Sequence, residues 1–160
     1  MNIFTLVGFK ITWLSCVFGE LYFNSWVGFV IGITYLIIFF INVDNKYKSF
    51  RTILFFSFSG YIFDSALSFF KIYTIEAQTT FLYLPIWFIV LWPSFACLLI
   101  KVLSFLKNYN LLSAILGALI GPISYYAGLS LNLANAINYS VFFIMAIFWS
   151  SMMFIYSKYF

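Results

Sequence analysis

The chain has 160 residues, of which 65% are hydrophobic and only 8% charged, with a formal net charge of +4 and no histidine. A soluble domain carries roughly 25% charged residues, so this composition cannot cover a water-facing surface and excludes a soluble globule. The basic excess forms no groove-sized cluster, which excludes nucleic acid as a partner and instead marks the cytoplasmic loops of a membrane protein.

A helix crossing a bilayer needs about 20 mostly apolar residues. Six such runs occur in order, at residues 3–18, 26–41, 52–70, 81–106, 111–131 and 139–156. They form one transmembrane helical domain over residues 1–160. The runs are apolar all round and do not alternate, so they read as lipid-embedded helices rather than strands of a barrel. The first lacks a basic leader and a small-residue cleavage site, so it is read as a span and not a signal peptide.

The loops carry the orientation. With the N-terminus inside, Lys46, Lys48, Arg51, Lys107 and Lys158 fall on the cytoplasmic side, with Lys101 close to it. Lys71, Glu76 and Glu20 fall on the other side. This asymmetry predicts an all-α inner-membrane bundle of six spans, with both termini inside. A five-span arrangement would place Lys158 outside and make one run re-entrant. The first run, short and interrupted by Lys10, is the weakest span.

Polar groups within the spans narrow the functional question. An ionisable residue there costs roughly 2.5–3.5 kcal/mol and usually faces the interior with a partner. Lys10 lies about 13 Å from the cytoplasmic end of the first span and Asp64 about 20 Å along the third. A buried Lys10–Asp64 pair is therefore expected, either as a helix lock or as a proton or substrate site. Ser65, Ser68 and Lys71 are alternative partners for Asp64. Gly28 and Gly32, and Gly117, Gly121 and Gly128, have the small-residue spacing that lets helices approach closely. That spacing serves internal packing or a homo-oligomer. Pro93 and Pro122 each remove a backbone hydrogen bond and release the carbonyls of Ile89 and Ala118. Trp26 and Trp87 fall at the outer ends of their spans, as in an aromatic belt. Trp13, Trp92 and Trp149 lie deeper, as packing groups. Cys16 and Cys97 read as small buried hydrophobes.

No nucleotide loop, nucleophile elbow or metal-binding helix motif is present. Without histidine, the commonest acid–base group and metal ligand is missing too. No cofactor or metal is expected, and the balance leans away from an enzyme.

Several segments in order are similar to a known family. They are Trp13-Leu-Ser-Cys-Val17; Gly60-Tyr-Ile-Phe-Asp64-Ser65; Pro85-Ile-Trp87 leading to Leu91-Trp92 and Phe95-Ala96; and Gly117-Ala118 followed by Gly121-Pro122-Ile-Ser-Tyr125-Tyr-Ala-Gly128. Together they resemble the bacterial membrane proteins of domain-of-unknown-function family 2878. The resemblance implies a small polytopic inner-membrane protein of unestablished activity. It singles out Asp64, Trp87, Trp92, Gly121, Pro122, Tyr125 and Gly128. It also implies a histidine in the second span and another after the Phe-Ala step of the fourth. Here Tyr35 stands near the first position, and Cys97-Leu-Leu-Ile-Lys101 follows the step. Any activity resting on those histidines is lost or replaced in this chain.

The resemblance further implies that relatives are often encoded near lipid-modifying enzymes of the cyclopropane-fatty-acid-synthase type, a link to membrane lipid chemistry by association only. Three functions follow as expectations. The chain is a non-catalytic accessory to lipid modification, in contact with membrane lipids and a membrane protein partner. Otherwise it is a small transporter or channel using Asp64, or an intramembrane lipid enzyme using Asp64 with Tyr125 or Tyr126.

Overall fold

A computed structural model describes residues 2–160. The described residues form six α-helices: α1 (Asn2–Tyr22), α2 (Ser25–Asn42), α3 (Lys46–Phe69), α4 (Phe88–Lys101), α5 (Asn110–Ser130) and α6 (Val141–Tyr159). Between them lie four short strands: β1 (Tyr73–Ile75), β2 (Thr80–Phe81), β3 (Leu84–Pro85) and β4 (Ala134–Ala136). All the helices except α4 are long and apolar enough to cross a membrane. The fold is all-α, with large apolar side chains pointing outward from every long helix.

The fourth apolar run, expected as one span over 81–106, is divided. A β2–β3 hairpin opens it, α4 occupies 14 residues, and a short 3-10 helix, Ser104–Asn108, follows. The physical reason lies at Pro85, which has no N–H and pushes Leu84 into an extended conformation. The hairpin turns through Leu82 and Tyr83, both with positive φ. That geometry suits a two-residue turn but normally selects Asn and Gly. Pro93, by contrast, is accommodated inside α4, as Pro122 is inside α5.

The chain divides into two compact units. Among the described residues, one comprises residues 2–66 and 77–103, and the other residues 67–76 and 104–160. In the first unit α1, α2 and α4 pack closely together. Glycine makes the α1–α2 contact possible: a Cβ on Gly28 would lie 2.5 Å from the Cα of Cys16. Gly32 similarly leaves room for Val90 of α4 and Thr12 of α1. Asn24 and Asn45 fix where α2 and α3 begin. Their side-chain oxygens accept from the backbone N–H groups of Trp26 (3.0 Å) and Lys48 (2.9 Å), satisfying donors that a helix start leaves open.

In the second unit α5 and α6 form an antiparallel pair seamed by small residues. Gly117 faces the backbone of Trp149, and Gly121 faces its indole ring. The Ser113 hydroxyl donates to the Met153 carbonyl at 2.9 Å. α3 and α5 end alike, with Lys71 and Asn132 in the left-handed conformation. The N–H of the following residue returns to a helix carbonyl, Ile72 to Leu67 and Leu133 to Gly128. These caps direct β1 and β4 into an antiparallel pair, with Thr74 opposite Asn135. Gly128 lets the Tyr73 hydroxyl approach and donate to the Tyr125 carbonyl at 2.8 Å.

Replacing Gly28 with alanine places a methyl group against the α1 backbone, which cannot move aside as a side chain could. The variant is expected to lose about 1–3 kcal/mol. Denaturant unfolding in detergent checks this.

Candidate functional site

The polar interior of the first unit is built around α4. Trp87 immediately precedes α4 and Trp92 lies in its second turn, and each indole N–H meets a carboxyl group from another helix. Trp87 donates to Glu20 of α1 at 2.9 Å. Trp92 donates to Asp64 of α3 at 2.8 Å. All four side chains are buried.

Glu20 is the more elaborate centre. Its second oxygen accepts from the Gln78 backbone N–H at 2.7 Å, and the oxygen shared with Trp87 also accepts from the Ser25 hydroxyl at 2.7 Å. Ser25 then accepts from the Thr79 N–H at 3.0 Å. The Gln78 side chain donates to the Phe23 carbonyl at 3.2 Å. One carboxyl group thus ties the end of α1, the start of α2, the segment before the hairpin, and the start of α4. Sequence reasoning placed Glu20 in an outer loop and Trp87 in an aromatic belt. The signal available was that an acid at the edge of an apolar run, a serine and a tryptophan all fall at the same membrane end.

Asp64 lies on the buried stripe of α3, in line with Ile53, Phe56, Gly60 and Leu67. Gly60, one turn earlier, makes the bond to Trp92 possible, because a Cβ there would overlap the indole. Phe56 adds an edge contact to Phe95 of α4 at 6.1 Å between ring centroids.

The expected Lys10–Asp64 pair is not formed. Lys10 is exposed on α1. The buried stripe of that helix runs through Thr5, Thr12, Cys16 and Glu20. At 3.6 residues per turn, Lys10 falls on the opposite side. Lys71, the other basic candidate, is also exposed.

Gly28 and Gly32 face α1 and α4 in the first unit, while Gly117, Gly121 and Gly128 lie in the second. Tyr125 is buried edge-on to Tyr73, with ring centroids 5.5 Å apart, and Tyr126 is exposed. Tyr35 and Cys97 stand near the positions where the resemblance implies histidine. They lie side by side in the core, and the Tyr35 hydroxyl donates to the Thr5 carbonyl at 3.3 Å.

At the opposite end of the first unit, Lys101 at the close of α4 meets Asp44 between α2 and α3, at 2.6 Å. The lysine's hydrogen bond and charge hold the Asp44 carboxyl below the usual carboxylate range. A carboxyl group lowered in this way contributes stability above its unfolded pKa. That contribution is lost as pH falls through the folded value.

Compared with known proteins, residues 2–155 match the family described as protein of unknown function (DUF2878), and the chain belongs to that family. No curated protein and no solved structure matches it.

Two outcomes test this geometry. Glu20→Gln puts an amide N–H₂ against buried donors and is expected to cost about 2–3 kcal/mol, with Trp87→Phe costing about 1–2 kcal/mol. Both are read by denaturant unfolding in detergent. Acidification below the ordinary carboxylate range should lower the protection of the amides around Asn45–Lys48, measured against their intrinsic exchange rates at the same pH, an effect that Asp44→Asn removes.

Proposed function

We propose that this member of the family is a non-catalytic accessory to membrane lipid modification. It is a multi-pass protein of the bacterial inner membrane, with both termini cytoplasmic. The observation carrying the reading is the commitment of Glu20 and Asp64 to indole donors. In a medium that supplies no competing hydrogen bonds, such bonds fasten helices together. They do not leave a carboxyl group poised for proton transfer to a substrate.

The lipid assignment draws support from the apolar outward faces of the long helices and from the encoding of similar proteins near lipid-modifying enzymes that the family resemblance implies. The partner is then a membrane-bound enzyme of that type. Three pairings support the orientation. The segment before α4 sits at the Glu20 end of the first unit, and Lys101 closes α4 at the Asp44 end. In the second unit β1 and β4 pair, which brings the chain after α3 beside the chain after α5. The Asp44 end also carries Lys46, Lys48 and Arg51, the signature of a cytoplasmic face.

A second reading, transport of a proton or small cation, draws on the Ser57 and Ser65 hydroxyls of α3. Both are buried without a hydrogen-bond partner among the described residues, and Ser65 adjoins Asp64.

The test compares acyl-chain profiles of cells that carry a lipid-modifying enzyme with and without this protein. The modified fraction is expected to fall when the protein is removed, while the purified protein alone converts no lipid. Asp64→Asn should lower accumulation and reduce lipid modification only in proportion. Normal accumulation with altered cation uptake would replace the accessory reading with transport.

A further inference from the structure

The outward face of α2 carries an open groove of about 420 Å³, lined by Ile33, Leu36, Ile37, Phe40, Ile41 and Lys46. The five apolar residues recur at helical spacing, so they form one stripe about 12 Å long. The opposite stripe of α2, through Ser25, Gly28, Gly32, Tyr35 and Phe39, is the one buried in the protein. Lys46, the first residue of α3, provides the single charge at the groove's end.

The charge around that end is unbalanced. Asp44 is taken up by Lys101. Lys46 and Lys48 are exposed, and neither forms an ion pair among the described residues. The first turn of α3 holds no acidic residue. A helix N-terminus is itself the positive end of the backbone dipole and ordinarily attracts acidic side chains. Two lysines there, with none, leave a positive site beside a greasy channel. The complement is an anion carried on a long apolar chain. Basic residues next to a membrane helix attract anionic headgroups in this way.

We propose that this groove binds an anionic phospholipid, with one acyl chain along Ile33–Ile41 and its phosphate at Lys46 and Lys48. A lipid held there would be presented at the membrane face where a modifying enzyme reaches acyl chains. The inference deepens the accessory reading and rests on it.

The assay uses the full chain purified in detergent. Native mass spectrometry measures retention of phosphatidylglycerol against phosphatidylcholine with the same acyl chains. Retention of phosphatidylglycerol is expected to be higher, by about five-fold for each lysine engaged. Lys46→Gln should remove most of that preference, and Ile37→Trp should reduce retention of both lipids by filling the groove. Both positions are exposed, so folding is retained, and Lys158→Gln serves as a charge control expected to change nothing.

Equal retention of the two lipids would overturn the site, leaving ordinary boundary lipid only. So would a preference that Lys46→Gln leaves undiminished, retention unmoved by Ile37→Trp, or a loss matched by Lys158→Gln. A clear preference in pure protein without any change in the cellular lipid profile would overturn the accessory reading and leave the site. A cellular change without the preference would do the reverse.

Discussion

Two indole N–H groups at the start of α4 hold the first unit together. In hydrocarbon a buried carboxyl group has no water to turn to, and leaving it without a donor is costly. Trp87 and Trp92 supply donors to Glu20 of α1 and Asp64 of α3. The indole suits this role because most of it is apolar surface and its one polar atom can only donate. Each contact therefore combines a large packed ring with a directional bond. A lysine partner would have brought a second charge into the same low-dielectric space.

Several other features follow from that constraint. Gly60 carries no side chain because the Trp92 ring occupies that space. α4 manages with 14 residues because polar contacts fix it at both ends, Glu20 at one and Asp44 at the other. The second unit uses a different solution. It seals α5 to α6 with glycines against Trp149 and a serine hydroxyl on a backbone carbonyl. Close backbone approach and dispersion replace charge there, as expected where lipid gives helices no hydrophobic drive to associate.

The same economy of charge frames the functional reading. Buried acids are used for assembly, while Lys46 and Lys48 stand exposed at the Asp44 end of the first unit. Under the proposed accessory reading, such a protein holds and presents membrane components while a partner does the chemistry.

The amino-acid sequence determined the solvent. Runs of 16 or more apolar residues with so few charges admit only helices in lipid, and five of the six runs became helices of span length. Asp64 was legible because a lone acid inside an apolar run must face inward. Its partner was not, because composition and depth along a span say nothing of how a helix is rotated. Lys10 and Asp64 lie at compatible depths, yet the rotation of α1 turns the lysine outward. Glu20 escaped notice for a related reason. It sits at the edge of an apolar run, where sequence suggests a loop, and only the return of the chain at Gln78 and Trp87 encloses it. Hydrophobicity is a property each residue carries alone, so sequence declares it. Pairing depends on where distant segments meet, and only the tertiary structure decides that.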